Sequence, residues 1–295
     1  MAENSTLERT LETLRPFIPA RFRSDIPVVP VVRMSGVIGI STPLKPGLTV
    51  ASVARSLDRA FSTSNARAVA LAINSPGGSA AQSNLIHRRI RQLADEKKIP
   101  VIAFIEDVGA SGGYMIACAA DEIVCDGSSI VGSIGVVGGS FGFHRLIEKI
   151  GVERRLYTSG EHKAMLDPFL PENPEDVKRL KAIQSEIHQS FIALVKDRRA
   201  GKLNGPEEEL FSGEYWTGNR AKAFGLVDAI GDLRATLRER YGDKVRTPLI
   251  AERGFFGRRT QGVIGQIDGL LGGTDMAEDA ISALEARAIW ARYGL

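Results

Sequence analysis

The sequence predicts an α/β protein with a largely parallel sheet covered by helices, an N-terminal amphipathic helix and a C-terminal helical tail. From Val28 onward, short β-branched segments alternate with longer stretches of helical periodicity, which is typical of strand–helix–strand units. Residues 70–73 and 101–105 are apolar at every position, as expected of strands buried on both faces. Both observations favour a parallel sheet over an antiparallel one.

The composition is that of an ordinary globular protein. Of the 295 residues, 43% are apolar and 25% are charged, which excludes disordered, collagen-like and coiled-coil classes. The net charge of +3 is small, and no stripe of Lys and Arg with interleaved aromatic residues is present. We therefore expect no nucleic-acid partner.

The ends of the sequence and its cysteines bear on location. The N-terminus begins with acidic and polar residues instead of the basic and then apolar layout of a signal peptide. No apolar run approaches the roughly 18 residues that a membrane span needs. Cys118 and Cys125 lack the spacing of a zinc site and are expected to be core thiols of a reducing compartment. The sequence thus predicts a cytoplasmic protein, with peripheral contact to the inner face of the membrane as an alternative.

The chain divides into three predicted parts. Residues 1–27 form a helix and a Pro-containing arm, residues 28–250 form the main domain, and residues 251–295 form a Gly-rich tail with a terminal helix. Within the main domain, helices are predicted at residues 50–63, 80–95, 111–119 and 173–200, and strands include residues 37–40, 121–126 and 151–158.

Two glycine-bearing turns each follow a buried strand and open a helix. The first covers residues 74–78 and the second residues 110–114. Because the carboxyl ends of parallel strands meet at one edge of a sheet, both turns are expected at a ligand-binding edge. Adjacent glycines let the backbone approach a substrate and expose N–H groups to it, which is what an oxyanion hole requires.

Ser111, two histidines and Lys163 are the residues to consider as a nucleophile and a base beside such an oxyanion hole. Ser111 opens a helix in the second turn, where it is either a nucleophile or an N-cap residue. His87 and His188 fall within long predicted helices and are expected to be structural. Lys163 could accept a proton as a neutral amine, but a loop lysine is more often only solvated. These alternatives remain open on the residues alone.

Four segments together resemble a known family. Residues 74–78, 110–114, 132–136 and 160–169 occur in the order and spacing of the signal peptide peptidase A family, the S49 serine peptidases of the ClpP/crotonase fold. The resemblance covers about residues 28–245, and the single Ser and Lys motifs are similar to the short, single-domain form of the family.

The resemblance implies roles for three catalytic residues. Ser111 is similar to the family's nucleophile, and Lys163 is similar to its general base. Ser133 is similar to the serine that binds the lysine and orients its amine, although it could also be a simple turn residue.

The resemblance also implies which backbone groups surround the reacting peptide bond. Gly77 or Gly78, together with the N–H of Gly112, would form the oxyanion hole. The strand that begins at Val37 and the turn around Gly78 would flank an extended substrate peptide.

The expected function is a homo-oligomeric serine endopeptidase that cleaves unstructured apolar peptides, such as signal-peptide remnants or misfolded segments. The family resemblance implies closed rings in which the lysine reaches a neighbouring subunit's serine, and it implies no metal and no organic cofactor. One alternative is a crotonase-like acyl-CoA enzyme, for which Glu106 or Asp107 would have to be the base. The other is a non-catalytic ring scaffold. Phe141, Phe143 and Phe169 are expected to pack in the core, with the lining of a pocket as the alternative.

Overall fold

The structure, a computed structural model, describes residues 26–40, 47–250, 284 and 287–294. The helix predicted within residues 1–27 and most of the predicted tail lie outside the described residues. The strands of the described part are β1 (Val31–Ser35), β2 (Val69–Ser75), β3 (Val101–Ala110), β4 (Glu122–Cys125), β5 (Ile130–Gly132), β6 (Tyr215–Thr217) and β7 (Ala229–Ile230). Its helices are α1 (Val50–Phe61), α2 (Ala80–Lys97), α3 (Gly112–Ala117), α4 (His144–Lys149), α5 (Pro174–Arg198), α6 (Glu207–Leu210), α7 (Gly218–Ala223) and α8 (Leu233–Tyr241).

The predicted parallel sheet with flanking helices is confirmed. Strands β1, β2, β3, β4 and β7 are neighbours in that order, and every pair among them is parallel. The helices predicted near residues 50, 80, 111 and 173 are all present. Asn173 caps α5 by accepting a hydrogen bond from the Glu175 N–H, and Pro174 occupies its first turn, as the local sequence predicts.

Both faces of the central strands are buried, which explains their uniformly apolar sequence. In β2, Leu71 and Ile73 pack in one hydrophobic cluster, whereas Ala70 and Ala72 pack in the other. Successive side chains of a strand point to opposite faces, so a strand covered on both sides has no position left for a polar residue.

Strand β3 is long enough to pair twice on the same side. Its first half pairs with β4, and residues Val108–Ala110 pair in parallel with Ile130–Gly132 of β5. Strand β6 then adds to β5 in the antiparallel direction. This extension carries the end of β3 past the edge of β4, so that the segments after Ala110 and Gly132 start side by side.

The strand predicted at residues 151–158 is wrong. Residues 152–158 are irregular, and Val152 and Tyr157 are exposed by 52% and 90%. Glu153, Arg154 and Arg155 are charged at three consecutive positions, so at least one charge would face each side of a covered sheet. A strand buried on both faces cannot accommodate this, because an unpaired buried charge is strongly unfavourable.

Cys118 and Cys125 are buried free thiols, as predicted. Loss of solvation raises the pKa of each thiol to about 12. Both side chains are therefore neutral and serve as small apolar residues of the core.

His87 gives the fold a specific dependence on pH. Its side chain is buried in α2, and burial together with the positive charge of Arg198 lowers its pKa from 6.5 to about 4. Between these two values the unfolded chain binds a proton that the folded protein does not. The free energy of unfolding should therefore be highest above pH 6.5 and fall by about 2 to 3 kcal/mol as the pH decreases toward 4.

Replacement of His87 by methionine should remove this part of the pH dependence. We expect urea unfolding to show a smaller loss of stability between pH 7 and pH 4.5 in His87→Met than in the wild-type chain, by about 2 kcal/mol. The matched control is His162→Met, since His162 is exposed, and it should follow the wild type. Equal losses in the wild type and in His87→Met would show that His87 does not titrate in this way.

Candidate active site

The double pairing of β3 brings two serines together. Ala110 pairs with Gly132, and the Ser111 N–H donates a hydrogen bond of 2.8 Å to the carbonyl of Gly132. Ser111 and Ser133 are thus the first residues after two adjacent strand ends. Both have a φ of +52°, a conformation that costs free energy in residues other than glycine.

The conformation of Ser111 argues against the N-cap alternative. The residue precedes α3 with φ of +52° and ψ of −122°, and its hydroxyl makes no capping hydrogen bond. A capping serine has extended backbone angles and accepts a bond from the helix N–H groups. The Ser111 side chain is instead half-buried and lines a cavity of about 840 Å³.

The first glycine turn lies directly against Ser111, as the two-turn pattern predicts. A Cβ atom added to Gly77 would come within 2.7 Å of the Ser111 Cβ and 2.9 Å of the Gly112 nitrogen. No side chain larger than hydrogen fits there. Gly113 is close to the same turn on the other side, since a Cβ atom there would come within 2.5 Å of the Ser75 carbonyl oxygen.

Gly77 and Gly78 differ in what their N–H groups do. The Gly77 N–H donates to the Ser75 hydroxyl over 3.3 Å. The Gly77 carbonyl and the Ser79 N–H both bond to Ile38, over 2.8 Å each, so Gly78 pairs with Ile38 as in a parallel bridge. In that pattern the N–H and carbonyl of Gly78 itself point away from Ile38.

The segment around Val37 differs from the predicted strand at residues 37–40. Only Ile38 forms β-bridges there, with Leu48 and Gly78. Val37 is buried, and its carbonyl accepts a hydrogen bond from the Leu48 N–H. The residues of this segment that line the cavity are Ile38, Gly39 and Ile40.

The cavity contains both serines and is largely apolar elsewhere. His188 of α5 also lines it, and the His188 Nε2 lies 2.9 Å from the Ile134 carbonyl oxygen. This hydrogen bond to the backbone agrees with a structural role for His188. The apolar lining includes Ile38, Ile40, Met115, Val136, Ile187 and Phe191.

Within one chain, Lys163 does not line the cavity that holds Ser111. It lies in a turn-rich segment, and its side chain is exposed. Its backbone N–H donates to the Gly160 carbonyl over 3.3 Å.

The segment that carries Lys163, which we call the arm (residues 137–170), exposes many apolar side chains. Phe141 contacts Phe143, and Phe143 contacts Phe169; Phe141 and Phe143 are exposed and Phe169 is half-buried, so none of the three lies in the expected core. Hydrogen bonds from the Phe169 N–H and the Arg154 guanidinium lower the pKa of the Asp167 carboxyl. All three residues lie in the arm, so these contacts stabilise its local conformation. Nine of the fifteen exposed large hydrophobic residues of the described part lie here: Val137, Phe141, Phe143, Leu146, Ile150, Val152, Leu156, Tyr157 and Leu170.

The structure adds two tyrosines that sequence analysis missed. The Tyr293 hydroxyl donates to the Ser133 Oγ over 3.3 Å, and the Tyr293 ring meets the Tyr215 ring edge-on at 5.1 Å. Both residues line the cavity. No motif links a C-terminal residue to a turn this distant along the chain, so the sequence contained no signal for this contact.

Glu106 and Asp107 do not lie at the cavity of Ser111. They line another cavity, which we call the separate cavity although Tyr293 lines both; there Glu106 pairs with Arg33, and Asp107 accepts a hydrogen bond from Asn74. Within the described part of the chain, no group of three His, Cys, Asp or Glu residues is placed to hold a metal ion. The same part contains no helix with the length and apolarity of a membrane span.

Comparisons with known proteins identify the family. The profile of peptidase family S49 matches residues 93–244, which include Ser111, Ser133 and Lys163. A Brucella abortus protein named Na(+)/H(+) antiporter NhaA is 52% identical over 301 residues, covering 100% of this chain and 41% of that protein. The chloroplastic serine protease SPPA of Arabidopsis thaliana is 37% identical over 171 residues, covering 57% of this chain and 24% of that protein.

Among solved structures, a membrane-bound stomatin-specific protease in complex with a substrate peptide aligns with a TM-score of 0.48 at 19% identity, covering 79% of this chain and 95% of that one. The chain spans about two fifths of the Brucella protein and about a quarter of the Arabidopsis one. Because the family profile matches more than half of the sequence, this chain belongs to peptidase family S49, a family of serine peptidases.

Proposed function

We propose that this protein is a serine endopeptidase that cleaves unstructured apolar peptides, such as signal-peptide remnants or misfolded segments. The observation that carries the proposal is the convergence at Ser111 of the Gly77 turn, the Gly112 N–H and Ser133 around one cavity. Acyl transfer requires a nucleophile, donors for an oxyanion and a base, and this edge of the sheet supplies the first two.

In the proposed reaction the Ser111 Oγ attacks the carbonyl carbon of a peptide bond while its proton passes to the neutral amine of Lys163. The tetrahedral intermediate then expels the amine product, which takes that proton, and leaves an acyl ester on Ser111. Water then attacks the ester while the same lysine takes its proton; the bond between the acyl carbon and the Ser111 Oγ breaks, the lysine returns the proton to that oxygen, and the acid product leaves. Ser133 is the positioning residue that holds the lysine amine toward Ser111.

The oxyanion would be bound by the N–H groups of Gly78 and Gly112. The Gly112 N–H lies in the first turn of α3, where backbone N–H groups have no intrahelical acceptor. The Gly78 N–H points away from Ile38, whereas that of Gly77 is bonded to Ser75. This difference favours Gly78 over Gly77 as the second donor of the oxyanion hole. The role of Gly77 is to leave room for Ser111 and Gly112, because it has no side chain.

The lining of the cavity supports an apolar, extended substrate. Aliphatic and aromatic side chains surround it, and they would favour apolar substrate side chains by removing them from water. Gly39, Ile40 and the turn at Gly78, which line the cavity, would flank the peptide backbone.

The base would come from another subunit. Lys163 is exposed on an arm that leaves nine large hydrophobic side chains uncovered, and such a concentration of apolar surface marks an interaction site. A neighbouring subunit in a closed homo-oligomeric ring would cover this surface and bring Lys163 to a Ser111 that is not its own. A cytoplasmic location and peripheral membrane contact remain predictions of the sequence.

The acyl-CoA alternative has less support. Its base would be Glu106 or Asp107, and both lie in the separate cavity with their own polar partners. The ring-scaffold alternative can be distinguished by the reactivity of Ser111, because a non-catalytic scaffold would not need a nucleophilic serine.

Labelling with a fluorophosphonate tests the proposal. We expect the probe to modify Ser111 selectively in the wild-type oligomer, as located by peptide mass spectrometry, and to leave Ser111→Ala unlabelled. The matched control is Ser128→Ala, which changes a serine of the separate cavity and should label like the wild type. Absence of labelling in the assembled wild-type protein would favour a scaffold.

A further inference from the structure

The C-terminal segment of the chain (residues 287–294) enters the cavity that holds Ser111. Residues 287–291 are helical, and Ile289, Arg292 and Tyr293 all line the cavity. The Tyr293 hydroxyl lies 3.3 Å from the Ser133 Oγ and 3.4 Å from the Pro76 carbonyl oxygen. One side chain thus connects the end of β5 with the first glycine turn, which are opposite neighbours of Ser111.

Strand β6 holds this segment in place. The Tyr215 hydroxyl donates to the Arg292 carbonyl over 3.1 Å, and its ring packs edge-on against Tyr293. Burial raises the pKa of Tyr293, so its hydroxyl is a neutral donor at physiological pH. The hydrogen bonds of 3.1–3.4 Å are at or beyond the long end of the usual range, which is consistent with a contact that can be displaced.

We propose that the C-terminal segment is autoinhibitory and that Tyr293 occupies the place at Ser133 which the Lys163 amine takes in the working enzyme. The inference rests on the proposed function, since it assumes that Ser133 positions Lys163. The segment also fills part of the cavity that a peptide would enter. The Lys163 amine therefore competes with Tyr293 for Ser133, and the substrate peptide competes with the C-terminal segment for the cavity.

The contact links activity to assembly. In a single subunit Lys163 is not among the described residues that line the cavity, and the Tyr293 hydroxyl bonds to Ser133. When the arm of a neighbour arrives, its lysine must displace the tyrosine from Ser133. The fraction of sites that are open then depends on the difference in free energy between the two arrangements.

The test compares Tyr293→Phe and Tyr293→Ala with the wild-type chain. Tyr293→Phe keeps the ring against Tyr215 and removes the hydroxyl, whereas Tyr293→Ala removes both contacts. Loss of one ordinary hydrogen bond should raise kcat/KM on a fluorogenic apolar peptide by about fivefold, and Tyr293→Ala should raise it by about tenfold or more. The matched control is Arg287→Ala, since Arg287 lies on the same helical segment but is exposed and does not line the cavity.

A synthetic peptide with the sequence of residues 284–295 supplies the segment in trans. We expect it to inhibit Tyr293→Ala competitively with substrate, and we expect the same peptide with alanine at position 293 to inhibit less. Unchanged or lower kcat/KM in both variants would overturn the inference. Absence of any hydrolysis that depends on Ser111, judged against Ser111→Ala, would instead refute the proposed function and this inference with it.

Discussion

Replacement of Lys163 by alanine is expected to lower kcat/KM by at least about 10³-fold without lowering the stability of the subunit. The loss is large because members of one catalytic unit fail together when any of them is removed. Stability should be unaffected because the Lys163 side chain is exposed. Hydrolysis of a fluorogenic peptide and thermal unfolding, measured on the same preparation, check both parts.

Lys149→Ala is the control for Lys163→Ala. Lys149 is an exposed lysine of the same arm, at the end of α4. Its replacement removes the same charge from the arm and should leave kcat/KM within a few-fold of the wild type. If Lys163→Ala retained activity comparable to Lys149→Ala, Lys163 would not be the base.

Gly77→Ala should also lose most activity, by about 10² to 10³-fold in kcat/KM. The added methyl group would lie 2.7 Å from the Ser111 Cβ and 2.9 Å from the Gly112 nitrogen, so both must move away from the reacting geometry. A shift of this size at the proposed nucleophile and the proposed oxyanion donor would remove stabilisation of the transition state, and kcat should fall more than KM rises.

Gly242→Ala separates this effect from backbone strain. Gly242 has φ of +86° against +100° at Gly77, but a Cβ atom there would meet no atom of the described residues within 4 Å. Both variants should lose about 1 kcal/mol or more of stability from the strained backbone. Only Gly77→Ala should lose activity, and similar kinetics in the two variants would show that the space beside Ser111 is not needed.

The parts of the fold that the sequence predicts well are those encoded by local pattern. The apolar runs of β2 and β3 and the glycines that follow them are visible within windows of about ten residues, and the structure contains both strands and places their turns together. The helix of α5 follows in the same way from Asn173, Pro174 and its apolar periodicity.

Other parts depend on contacts between distant residues. Nothing local shows that the second half of β3 pairs with β5, although this register places Ser133 beside Ser111. The predicted strand at residues 151–158 is absent because its three consecutive charges at residues 153–155 do not fit a sheet that is covered on both faces. Tyr293 reaches Ser133 across the whole domain, and such a contact can be found only in the folded chain.

The central claim is that each site takes Ser111 from one subunit and Lys163 from another. Co-refolding Ser111→Ala and Lys163→Ala chains in equal amounts tests it most directly, because the first still donates an intact lysine and the second an intact serine. Random assortment in a closed ring would place a good serine beside a good lysine at about one interface in four, so peptide hydrolysis should recover to about a quarter of the wild-type rate. No recovery, in mixed oligomers verified by native mass spectrometry, would contradict the shared site.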